Sequence, residues 1–192
     1  MRAQAHTLEG FAAAIILLSG VLFALQATAV TPLTASTSNQ HIENQQAAVA
    51  EGVLASAEAN GTLVESLLYW DTSEERFIDS GTRDVYANGG PPTPFGATLN
   101  RTFSDDRIAF NVEILHTSAG GGQTRTRMVY MGTPSDNAVA ASRTVVLFDD
   151  DPLGDGSGTV GDAADDGEFY ADDLDDGPLF AVLEVRIIVW RI

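Results

Sequence analysis

The sequence contains no cysteine and no lysine. Without Cys there is no disulfide framework, no thiolate metal ligand and no Cys nucleophile. Without Lys, all ten basic residues are arginines, set against 27 acidic residues for a net charge of −17. Charge of that sign argues against nucleic acid as a partner, because phosphates are bound by basic patches. Histidine is scarce as well. His6, His41 and His116 fall in different elements, and there is no HExxH spacing, no nucleophile elbow and no phosphate-binding loop. The glycines of "SAGGGQ" (residues 118–123) lie between two strand patterns, so they read as a hairpin turn rather than a phosphate cradle. No catalytic residue and no cofactor is assigned, and the expectation is a protein that is not an enzyme.

The acidic, lysine-free composition points to a halophile. Acidic surfaces stay hydrated when salt screens charge strongly. The densest acidic stretch is residues 149–177, "DDDPLGDGSGTVGDAADDGEFYADDLDDG", with 12 carboxylates and no base. Clustered carboxylate oxygens suit a hard cation such as Ca²⁺. The calcium-loop spacing is not met, since Leu174 stands where a ligand is needed between Asp172 and Asp176. These two are weak metal candidates, and the expected state of the tract is a hydrated loop. Phe169 and Tyr170 interrupt it and are expected to pin it to the sheet.

The N-terminal segment is the most distinctive part. Residues 10–30 carry no charge, and Glu9 stands directly before them. Twenty-one residues at ~1.5 Å rise match the ~30 Å hydrocarbon thickness, so the run is expected to span a membrane. Arg2 precedes it and a polar, acidic flank follows, which orients the N-terminus to the cytoplasm and the bulk outside. Pro32 is expected to kink or interrupt the helix. Residues 40–61 resume a helical pattern, with Ile42, Val49, Val53 and Leu54 on one face and Asn60-Gly61 as the stop. The chain thus divides into a short leader (1–9), an apolar helix (10–30), an amphipathic helix (31–61) and an extracytoplasmic head (62–192).

Within the head, residues 62–71 read as a short helix and "ERFIDSG" (75–81) as a strand and turn. Thr93-Pro94 opens a helix that carries Phe95, Leu99 and Phe103 at four-residue spacing. Residues 107–117 alternate as a strand, and 124–132 return as its hairpin partner. Residues 142–151 form a third strand and 178–192 the longest. In that last strand Leu179, Ala181, Leu183, Val185, Ile187 and Val189 face the core. The fold class is α+β: a long N-terminal membrane and amphipathic helix packed on an antiparallel sheet of about four strands. Asn60-Gly61-Thr62 and Asn100-Arg101-Thr102 are glycosylation sequons, making Asn60 and Asn100 candidate sites.

A short leader, a glutamate, a long apolar helix, an amphipathic half and a strand-rich end form one pattern. In "QAHTLEGFAAAIILLSGVLFALQ" (residues 4–26) it resembles the type IV pilin-like, pseudopilin-like proteins of halophilic archaea. The resemblance implies a prepilin-type peptidase that clips the leader. It also implies a helix that bundles with other pilin-like subunits, and a head that faces outward from the membrane or from a surface filament. The processing residues implied are Arg2, Ala3 and Gln4. A cut before Gln4 places Glu9 sixth in the mature chain, and a cut before Ala5 places it fifth, as in the family. The implied role of Glu9 is assembly, by pairing with a neighbouring subunit's new N-terminal amine. The alternative is a monomeric, single-pass surface protein whose head binds a ligand or Ca²⁺.

Overall fold

In the computed structural model the chain forms, in order, α1 (Arg2–Ala59), α2 (Thr62–Leu67), β1 (Trp70–Asp71) and β2 (Arg76–Phe77). Then come α3 (Pro94–Phe103), β3 (Ile108–Thr117), β4 (Gln123–Tyr130), β5 (Val139–Phe148), α4 (Val160–Asp165) and β6 (Leu179–Arg191). The structure describes residues 2–103, 107–118, 120–174 and 177–192, and the side chains of all these except residues 2–8 and 26–39. The chain divides into two compact units, one ending at Ile42 and the other Glu43–Ile192.

The second unit is built on a four-stranded sheet in the order β4-β3-β6-β5. β6 pairs antiparallel with both β3 and β5, and β3 with β4. The expected inward face of β6 is correct. Ala181, Leu183, Val185, Ile187 and Val189 are all buried. Phe180 is buried too, beside the register shift at Leu147/Phe148 on β5, where a bulge locally upsets the two-residue alternation. On β3, Phe110, Val112 and Ile114 face the same core. The reverse face of β3 is also covered at Ala109, Asn111, Glu113 and Leu115. Asn111 satisfies its amide there by donating to the Gly132 carbonyl and accepting from the Met131 amide.

The C-terminal turns of α1 supply one wall of this core. Ala50, Val53, Leu54 and Ala57 are buried at i, i+3, i+4 and i+7, the stripe an amphipathic helix lays on its partner. Ala50, not Val49, fills the stripe, and Val49 is exposed. The helix stops as expected: Gly61 takes φ +73°, a left-handed conformation that favours glycine, and its amide bonds back to the Glu58 carbonyl. α3 also begins where Thr93-Pro94 put it, with the Thr93 hydroxyl accepting from the Gly96 amide at 3.4 Å. Phe95, Leu99 and Phe103 line its buried side.

Three further expectations are corrected. α1 is one continuous helix through Pro32, so the proline does not end it; proline removes a single intrahelical bond from a helix 58 residues long. The tract 149–177 is not simply a loop. It holds α4, opened by a capping box in which the Thr159 hydroxyl accepts from the Asp162 amide and the Asp162 carboxylate accepts from the Thr159 amide. Leu153, Val160, Ala163, Phe169 and Ala171 anchor it in the core.

The third correction concerns fold class. The α+β arrangement with a four-stranded antiparallel sheet stands, but the membrane-spanning clause fails. Among the described residues no helix is long and apolar enough to cross a membrane. Gly10, Ser19, Gly20 and Gln26 interrupt the large apolar side chains of this run and lower its mean hydropathy.

Candidate functional site

α1 carries an unusual surface between Glu9 and Leu25. Phe11, Ile15, Ile16, Leu17, Leu18, Val21, Leu22, Phe23 and Leu25 are between 48% and 75% exposed. At ~100° per residue these nine side chains are spread around the whole helix rather than along one stripe. A helix that is apolar all round is one made to be buried. Each such side chain gains ~1.5–3 kcal/mol on burial, so the stretch gains far more from neighbours than from water. A Cβ added at Gly10 or Gly20 would meet nothing within 4 Å, so both positions leave room for another backbone to approach.

Glu9 sits exposed at the N-terminal border of this surface. The backbone of Arg2, Ala3 and Gln4 is already helical, and their side chains lie outside the described residues, as does that of His6. His41 is exposed on α1. Asn60 is exposed just beyond the end of α1, its amide donating to Ser56 Oγ at 3.4 Å. Asn100 lies on α3, and its Oδ1 accepts from the Gly90 amide at 2.8 Å. Of the weak metal candidates, Asp172 is exposed and Asp176 lies outside the described residues. Among the described residues no three His, Asp or Glu side chains are grouped to hold a metal ion.

Among the described residues His116 is the one buried histidine, at 5% exposure. Its Nε2 is 3.4 Å from Thr126 Oγ1, its Nδ1 has no hydrogen-bond partner, and its ring meets the edge of Tyr170 at 6.1 Å. Burial pushes the imidazole below its ordinary range, and Asp172 acts in the opposite direction. These neighbours supply no activated nucleophile, so the arrangement is a buried histidine near the C-terminal end of β3.

A second feature was not legible from the sequence. A cavity of about 510 Å³ is lined by Trp70, Phe77, Arg83, Asp84, Arg125 and Arg127, among others. Three of the chain's ten arginines therefore meet at one place. Arg125 Nη1 donates to Glu113 Oε1 at 3.2 Å, and the Arg127 guanidinium lies 4.8 Å from the centre of the Tyr130 ring. The "TRTR" alternation of residues 124–127 was the available signal for two of them. Arg83 comes from a separate loop and joins them only through the fold.

No curated protein and no solved structure matches the chain. A family model matches residues 2–189, nearly its whole length, and by that match the chain belongs to DUF7288, a family of unknown function.

Proposed function

We propose that this protein is a structural subunit that assembles with copies of itself, or with related subunits, through the apolar stretch of α1. The assembly is a cell-surface filament of the type IV pilus kind, or the apparatus that builds one. The observation that carries the reading is the all-round exposure of nine large apolar side chains between Phe11 and Leu25. One partner covers one face of a helix, whereas a surface on every face calls for several helices at once. The sequence pattern around Glu9 and the leader residues Arg2, Ala3 and Gln4 supports the same reading. In it, a prepilin-type peptidase frees the amine that Glu9 of a neighbour pairs with, and the Glu43–Ile192 unit is the outward-facing head.

The absence of Cys makes the test clean. A single Leu17→Cys, Phe11→Cys or Phe23→Cys substitution introduces the only thiol in the full chain. Under mild oxidation these variants are expected to form disulfide-linked dimers, while Ser73→Cys in the head does so far less. Sheared surface material is expected to contain the protein, with a mature N-terminus near Gln4 by mass spectrometry. Monomers alone at all three helix positions, with normal protein levels, overturn the reading.

A further inference from the structure

We propose that the arginine-lined cavity at β4 receives the acidic α4 region of a second copy of this chain, giving the heads a contact of their own. This rests on the assembly reading above and extends it from the helix to the head.

The cavity is a local inversion of charge. Arg83, Arg125 and Arg127 border it with one acid, Asp84, in a chain whose net charge is −17. Lone arginines scattered on an acidic surface would be neutralised by the nearest carboxylates. Here Arg125 uses one of its donors on Glu113, and a guanidinium has five. Arg127 is steadied against the Tyr130 ring, which orients a guanidinium without neutralising it. The ion pairs Arg125–Glu113, Arg143–Glu58, Arg186–Glu184 and Arg76–Glu74 use no acid from residues 149–177.

The complementary surface is α4. Asp165 ends this helix and Asp166 caps it, and both are exposed. Carboxylates at a helix C-terminus face the negative end of the helix dipole, so their placement does nothing for the helix. The capping box and the buried Val160 and Ala163 hold α4 in place, so the two carboxylates are presented on a fixed element. Planar carboxylates and guanidinium forks match in geometry. Each chain thus carries both halves of a contact, at different places. Such a heterologous contact repeats from copy to copy, and where its rotation does not close into a ring it propagates the open array a filament requires.

The lysine-free sequence supplies the test. In the full chain, Arg83→Lys introduces the only side-chain amine, and zero-length carbodiimide coupling then joins it to carboxylates it touches. Equal mixtures of ¹⁴N- and ¹⁵N-labelled protein, assembled together, separate contacts between chains from contacts within one. The expected result is mixed-isotope cross-links from the position-83 amine to the peptide holding Asp165 and Asp166. Asp165→Asn with Asp166→Asn removes the carboxylates that the carbodiimide activates, so the mixed-isotope cross-links to these two positions should vanish. These are surface changes, and circular dichroism confirms the fold is kept. Cross-links confined to one isotope, or to acids outside residues 149–177, overturn the contact. Leu17→Cys disulfides measured in the same samples keep the two ideas apart. Disulfides without mixed cross-links sink the head contact and leave the assembly reading standing. Mixed cross-links without disulfides uphold the head contact and remove helix-driven assembly.

Discussion

The indole Nε1–H of Trp70 donates to the carbonyl oxygen of Glu168 over 2.7 Å, joining residues 98 apart in sequence. Through it the short β1 strand holds the far end of the acidic tract. The ring of Trp70 also packs edge-on against Phe77, Phe169 and Tyr170, with centroids 5.1 to 6.0 Å away. An acidic segment that repels itself is thereby folded down by aromatic contacts and one directed bond. Trp70→Phe keeps most of the ring and loses the donor. Its expected cost is about 1–3 kcal/mol, and limited proteolysis should cut faster within residues 149–177 than elsewhere. Unchanged cleavage there would show that Phe169 and Tyr170 hold the tract unaided.

The loop ahead of α3 packs backbone on backbone. A Cβ added at Gly96 would lie 1.8 Å from the Pro91 carbonyl oxygen, and one at Gly90 would lie 2.6 Å from the Gly96 Cα. Gly96→Ala should therefore destabilise the protein by about 3 kcal/mol or more, since backbone cannot move aside as a side chain does. Gly52, in α1, has nothing within 4 Å, and Gly52→Ala should stabilise by about 0.5–1 kcal/mol. Denaturant melts of both variants check the opposite signs.

His116 gives a pH dependence of defined direction. Its folded-state pKa is depressed by burial, against ~6.5 when unfolded. The unfolded chain then binds the proton more readily than the folded one. The stability this residue contributes is complete above about pH 6.5 and is lost as pH falls below it. Thr126 from β4, together with Tyr170 and Asp172 from the segment before β6, are the groups that face it. Melting temperature should decline between pH 7.5 and 5.5, and His116→Gln should flatten that decline. A variant as pH-sensitive as the parent would assign the effect to other groups.

Glu9→Gln tests the assembly role directly. If Glu9 pairs with a neighbour's N-terminal amine, removing its charge leaves that amine buried and unpaired, at ~3–5 kcal/mol per contact. Filaments and Leu17→Cys disulfides should disappear while protein levels hold. Normal filaments would leave Glu9 as a hydrated residue at the edge of the apolar surface.

Salt should govern stability. With −17 net charge and no Lys, self-repulsion extends over a Debye length of ~30 Å at 0.01 M salt and only ~3 Å at 1 M. The full chain is expected to melt several degrees higher at 1 M. Equal melting temperatures would remove the halophile interpretation of its composition.

The sequence by itself determined the local periodicities and their ends. The alternation of residues 179–191 fixed the inward face of β6, and Thr93-Pro94 and Asn60-Gly61 marked a helix start and stop. These are short-range effects of backbone preference and of which side chains avoid water. It also showed the uncharged run after Glu9, whose nine large side chains the structure leaves exposed. Tertiary structure decided the rest, because each remaining point depends on partners distant in sequence. Val49 and Ala50 are equally plausible on a helical wheel until a sheet chooses which side is covered. The tract 149–177 read as a hydrated loop because its charge hides the few apolar residues that anchor it, and only packing shows that Leu153, Val160 and Phe169 outweigh twelve carboxylates. Arg83 met Arg125 and Arg127 for the same reason: residues some forty positions apart become neighbours only where the chain folds back on β4.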